Sequence, residues 1–186
     1  KVIVTWGDGD PNIGWGIPKA QTSPTLITTS KALLSYFRPK VAITIDKIKA
    51  LGIAAQTGIF KMAIYKASDL SRLTAELTFN TTALGVDVVT TGLGLTLDAG
   101  ELYIAALTVT SAASGTNSIC VVNNNSMGTA TAPQSHSGYI DLDSGYLNVS
   151  AAKVTISGGT LPSTLGTPEA INSTSVQAPF FILEAA

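Results

Sequence analysis

The 186-residue sequence predicts an all-β fold, an antiparallel β-sandwich of jelly-roll-like type preceded by an irregular N-terminal arm. Three observations carry this expectation. In several stretches apolar and polar residues alternate at period two, which sets one face of a strand inward and the other toward water. About ten such stretches follow one another, joined by short segments rich in Gly, Ser, Thr and Asn, the spacing of sandwiches and barrels. Charged residues form only 12% of the chain against 45% apolar, about half the charge of an average soluble domain. The surface is therefore built from hydroxyls and amides, or is covered by another chain.

Taken in order, residues 1–25 hold both tryptophans within Trp6-Gly7-Asp8-Gly9-Asp10-Pro11-Asn12 and Gly14-Trp15-Gly16-Ile17-Pro18. Gly and Pro at this density break regular structure, so the segment reads as an arm or linker, and residues 26–186 as the sandwich domain. Ser30–Arg38 has a Ser at a cap position and ends at Pro39, and Asp46–Gly52 places Ile48 and Leu51 at helical spacing from Ile45 before a Gly stop. Both stay open between a short helix and a strand. Val41–Ile45 reads as a strand, and Phe60, Met62 and Ile64 point inward with Lys61 and Lys66 outside. Leu73, Ala75, Leu77 and Phe79 alternate with Thr74, Glu76 and Thr78, and Leu93, Leu95 and Leu97 repeat the pattern. The run Leu102–Leu107 is apolar on both faces, as expected of a central strand covered on both sides. Val86–Thr90, Ser118–Val122, Gly138–Leu142, Val154–Ile156 and Val176–Leu183 complete the strands.

The formal net charge is −1, with acids and bases interleaved. Nucleic-acid binding calls for a basic stripe that displaces phosphate counterions, and membrane-surface binding for a polybasic cluster; the sequence has neither. No run approaches the ~18 apolar residues of a spanning helix. No nucleic-acid partner and no membrane insertion are therefore expected. Cys120 is the single cysteine, so it forms no intrachain disulfide and reads as a buried inert thiol. The sequence begins at Lys1 with neither Met nor the basic-then-apolar pattern of a signal peptide, and is expected to be processed or cut from something longer.

Residues with chemistry are sparse. Asp8-x-Asp10-x-Asn12 resembles the start of a calcium loop, but the glycine falls at Gly14 and Lys19 stands where a bidentate Glu belongs, so an Asx-capped turn is preferred. Asp141-x-Asp143-Ser144-Gly145 reads as a hairpin turn. His136, the only histidine, lies in a Pro/Ser/Gly segment, with no Gly-x-Ser-x-Gly elbow in the chain to supply a nucleophile. Asp98, Glu101, Glu76 and Glu169 show no spacing that marks a glycosidase pair. Gly92-x-Gly94 lacks the strand–helix context of a dinucleotide loop. Sequons at Asn80, Asn124, Asn148 and Asn172 are expected background in a Ser/Thr-rich chain. No catalytic residue, metal site or cofactor is expected. Trp6 and Trp15 are the candidate interface anchors of the arm, and Tyr139 and Tyr146 the candidate aromatics for glycan or interface contact, because such rings bury large area and stack on sugars.

The middle of the chain resembles a β-sandwich domain of tailed-bacteriophage virion proteins, found in tail-fibre, head-fibre and related appendages. The motifs are Tyr36-Phe37-Arg38-Pro39, Ile45-Asp46-Lys47-Ile48, Phe60-Lys61-Met62-Ala63-Ile64-Tyr65 and Thr82-Ala83-Leu84-Gly85-Val86. Leu97-Asp98-Ala99-Gly100-Glu101-Leu102-Tyr103-Ile104-Ala105 is the longest of them. Gly159-Thr160-Leu161-Pro162-Ser163-Thr164-Leu165 and Pro179-Phe180-Phe181-Ile182-Leu183 extend the resemblance, which covers residues 36–183. Ala99 stands where the pattern has Pro, and Ala63 where it has Gly. The resemblance implies that both ambiguous segments are extended, and it transfers no catalytic residue. It also implies that Gly100 makes a tight turn and that Tyr65 and Tyr103 bring their hydroxyls to the sandwich edge.

The function expected from these readings is that of a non-enzymatic virion structural protein, an appendage domain that assembles with itself, as a trimer, and with other virion proteins, and that touches host surface glycans. A capsid decoration protein whose arm clamps neighbouring subunits is the alternative within the virion. A stand-alone carbohydrate-binding module is the alternative outside it.

Overall fold

The computed structural model describes residues 2–4, 28–39, 41–52, 59–80, 85–111, 121–123, 151–170, 177–179 and 181–185. Among the described residues thirteen strands run in chain order: β1 (Val2–Val4), β2 (Lys31–Phe37), β3 (Ile43–Gly52), β4 (Ile59–Lys66), β5 (Leu77–Asn80), β6 (Gly85–Thr90), β7 (Leu95–Leu97), β8 (Tyr103–Ser111), β9 (Val121–Asn123), β10 (Ala151–Thr155), β11 (Glu169–Ala170), β12 (Gln177–Pro179) and β13 (Phe181–Ala185). Two antiparallel sheets form the sandwich. The smaller has the order β1-β13-β3-β6, with β7 also on β3, and the larger β11-β10-β2-β8-β4-β5; β9 and β12 make a separate pair. Val2–Val4 lie at the edge of the smaller sheet, paired to Ile182–Glu184. The segment expected as an irregular arm thus opens with a strand.

The core between the sheets joins Ile43, Ile45, Ile48, Leu97, Phe181 and Leu183 of the smaller sheet to Leu33, Phe37, Phe60, Met62, Ile64, Phe79, Tyr103 and Leu107 of the larger. Phe79 stacks on Phe60 at 5.5 Å between ring centroids and meets Phe181 edge-on at 6.3 Å. A second apolar cluster covers the opposite face of the larger sheet: Ala32, Leu34, Ala63, Tyr65, Ile104, Ala106, Ala152 and Val154 pack under Ile156, Leu161 and Leu165. The expectation for Leu102–Leu107 holds, since β8 is buried on both faces. The same is true of β4, where Ala63 and Tyr65 are as inaccessible as Met62 and Ile64.

Both ambiguous segments are strands. Ser30–Arg38 contains β2, whose Ala32 and Leu34 face one apolar cluster and whose Leu33 and Phe37 face the other; doubly sided burial removes the alternation that marks a strand. In β3 the helical spacing comes from a bulge. Glu184 pairs with Lys47 and Ala185 with Ile45, so Asp46 is an extra residue against β13. It flips the phase and sends Ile45 and Ile48, three apart, into one core.

The alternation read from Leu73 to Phe79 needs correction. β5 begins only at Leu77. From Tyr65 to Met62 β4 advances three residues, while its partner advances five, from Arg72 to Leu77. Between these two pairs the chain leaves the ladder, with Leu73 outward at 38% exposure and Thr74 inward. Thr74 Oγ1 accepts the Ile64 N–H at 3.1 Å and the Leu73 N–H donates to the Ile64 carbonyl at 2.8 Å, which keeps the β4 backbone satisfied without a ladder.

Candidate functional site

Polar side chains of the described residues converge most densely where residues 157–168, a strap between β10 and β11, cross the outer face of the larger sheet. The strap starts in a tight turn, Ser157-Gly158-Gly159-Thr160, closed by Thr160 N–H to Ser157 C=O at 3.1 Å. Gly158 and Gly159 have φ of +59° and +65°, the mirror-image turn that suits paired glycines. Gly159 also lies against β8, where an added Cβ would meet Val109 O at 2.4 Å and Thr110 Cα at 2.7 Å. Its N–H donates to Thr29 C=O at 2.6 Å.

The strap then runs along residues 70–76 as a short added strand. Ser71 and Thr164 form a bridge, Arg72 N–H donates to Ser163 C=O at 2.9 Å, and Leu165 N–H donates to Leu70 C=O at 3.0 Å. Leu70 holds a left-handed conformation, φ +61°, just after Asp69, whose Oδ1 accepts the Ser71 N–H at 2.9 Å and its hydroxyl at 2.6 Å. This Asx turn aims the Leu70 carbonyl at the strap. The two donors also hold the exposed Asp69 carboxyl below its ordinary pKa.

Side chains complete the seat. The Tyr65 hydroxyl donates to Pro162 C=O at 2.7 Å, the Arg72 guanidinium donates to Leu161 C=O, and Glu76 Oε1 accepts the Leu161 N–H. Glu76 Oε2 takes Lys61 Nζ at 3.1 Å, with both side chains 21% exposed. Burial pushes the Tyr65 phenol up to about 12, against the opposing pull of Arg72. Tyr36, packed against the same cluster, is likewise raised to about 12 by burial. Leu161 and Leu165 are buried beneath these contacts at 0% and 4% exposure. The chemistry assembled here saturates successive backbone groups of one extended segment.

Trp6, Trp15, Tyr139 and Tyr146 all lie outside the described residues, as do Cys120, His136 and both Asp-rich turns. Glu76, Glu101 and Glu169 each face lysine: Lys61 for Glu76, Lys66 at 3.8 Å for Glu101, and Lys31 and Lys153 at 4.0 and 3.9 Å for Glu169. Among the described residues no three of His, Cys, Asp and Glu gather at one point. The tight turn appears as expected, with Gly100 at φ +78°. Tyr103 OH accepts the Asp98 N–H at 2.8 Å, whereas the Tyr65 hydroxyl ends on Pro162 under the strap and not at the sandwich edge. Arg72 and the Asp69–Ser71 turn were not singled out from the sequence. Asp-x-Ser after a polar Lys-Ala-Ser run was a readable turn signal; the role of Arg72 depends on a strap some 90 residues away and had no local signature. No protein-family model matches the chain, and no curated protein matches it.

Proposed function

We propose that this chain is a non-enzymatic structural protein of a bacteriophage virion, an appendage domain of tail-fibre or head-fibre type that assembles with itself as a trimer, joins other virion proteins and touches host surface glycans. One observation carries the architectural part of this reading: around the strap and the central strands, six buried or half-buried polar side chains are engaged in fixing backbone. Tyr65, Arg72, Glu76, Thr74 and Tyr103 each hold a main-chain group, and Thr108 Oγ1 donates to Lys31 C=O at 3.1 Å. Groups held this way make a rigid module, whereas catalysis needs titratable groups aimed at a substrate. The virion part rests on the resemblance. Of its motifs, Phe60–Tyr65 lies on β4, Leu97–Ala105 runs across β7, the Gly100 turn and β8, Gly159–Leu165 lies on the strap, and the Phe181–Leu183 part of Pro179–Leu183 lies on β13.

Locating the tagged chain in purified phage particles by electron microscopy tests the proposal, with sedimentation of the isolated protein alongside. Density on a tail or head appendage and a trimeric mass are expected. A monomer that is absent from particles and has no affinity for virion proteins overturns it.

A further inference from the structure

We propose that the seat of the strap is a recognition site for an extended peptide, filled in cis by Thr160–Leu165 and able to accept the same chemistry from a partner protein. That chemistry is an apolar residue followed by proline, with a second apolar residue four positions after the first. The observed occupant defines it. Leu161 offers its N–H to Glu76 and its carbonyl to Arg72, Pro162 its carbonyl to Tyr65, Ser163 its carbonyl to the Arg72 N–H, and Leu165 its N–H to the Leu70 carbonyl. Pro162 has no N–H, so no acceptor is required at that position. The Leu161 and Leu165 side chains fill the apolar floor, while Ser163 and Thr164 face solvent. Main-chain bonds along a strand-like register, with pockets for particular side chains, are the logic of peptide capture by strand addition.

The strap is tethered on both sides, by the Gly158-Gly159 turn before it and by the β10–β11 pairing after it. From Leu161 to Leu165 its hydrogen bonds described above all go to the seat. A tethered ligand has a high effective concentration and excludes a free competitor. The site therefore opens to a partner when the strap is displaced or lacks its anchors.

The test uses the full chain with residues 160–165 replaced by an equal length of Gly and Ser. A synthetic peptide Thr-Leu-Pro-Ser-Thr-Leu is added at up to millimolar concentration, beside a control with both leucines changed to serine. Authentic peptide is expected to raise the melting temperature of the replaced variant saturably, by on the order of a few degrees, and to leave the unaltered protein unmoved. Glu76→Gln or Arg72→Gln in the replaced variant should weaken this binding by about tenfold or more. No shift, or an equal shift with the control peptide, overturns the proposal. Should the replaced variant emerge unfolded, it is refolded with each peptide: recovery with the authentic one alone supports the proposal, and recovery with neither or with both overturns it.

Discussion

In the larger sheet, residues 103–109 of β8 alternate between two apolar clusters, and none of the seven is more than 3% exposed. In the smaller sheet, β3 sends Ile43, Ile45, Ile48 and Ala50 inward and leaves Thr44 exposed and Lys49 half-buried on the other face. There Thr44 and Thr96 approach at 3.1 Å and Lys49 pairs with Glu184 at 2.7 Å. One chain therefore holds a sheet with two dry faces beside a sheet with a wetter outer face. The difference gives the high apolar content a destination within the molecule: part of it lies in a second core on the outer face of the larger sheet. The proposed trimer would then use surfaces other than the outer face of the larger sheet under the strap.

The comparison breaks most visibly at the strap's entry. Gly159→Ala brings a methyl group into the β8 backbone in a left-handed conformation and should cost about 3 kcal/mol or more. Gly158→Ala has the same hand of φ but open space around the new Cβ, and should cost about 1 kcal/mol. Denaturant unfolding of the two variants measures the gap, and equal losses would show that the strap does not press on β8.

The next largest contrast is between two ion pairs. Glu76→Ala leaves the Leu161 N–H without its acceptor beneath the strap, an expected loss of about 1–3 kcal/mol. Lys49→Ala on the outer face of the smaller sheet should cost about 1 kcal/mol at most, because this half-buried pair holds no backbone group. Stability also depends on pH in two directions. Tyr36 and Tyr65 keep their protons up to about 12 in the folded chain, so the unfolded chain ionises first. Stability is then full below about pH 10 and falls as pH rises toward 12. Asp69 and Glu184 have lowered values, the latter through its hydrogen bond from Lys49, and their small contributions are lost as pH falls below the ordinary carboxylate range. Tyrosinate absorbance and melting temperature followed from pH 3 to 12 check both directions. The smallest expected effect is Ser35→Ala: the buried Ser35 Oγ has no hydrogen-bond partner among the described residues, so its removal should change stability by less than about 1 kcal/mol.

In the larger sheet β8 was legible because burial on both faces leaves an unbroken apolar run, as at Leu102–Leu107, whereas the same two-sided burial left β2 open between helix and strand. The smaller sheet misled where it bulges, since one extra residue at Asp46 converts period two into a spacing of three. At Leu73–Phe79 alternation was present in the sequence, but the chain leaves the β4 ladder between Arg72 and Leu77, where Leu73 is exposed and Thr74 buried, and only tertiary pairing reveals that. The strap was visible as a motif, Gly159–Leu165, without its partners. Leu161 and Leu165 reach their seat through a register set by Asp69, Leu70 and Arg72, and no local periodicity encodes contacts across such a separation.

If the outer cluster is a second core, a fully buried leucine is as costly to truncate there as between the sheets: Leu161→Ala under the strap against Leu183→Ala, both at 0% exposure. Equilibrium unfolding should show comparable losses of about 2–5 kcal/mol for each. A Leu161→Ala variant within about 1 kcal/mol of the parent, beside a costly Leu183→Ala, would contradict the claim and leave the strap a surface loop over a single-core sandwich.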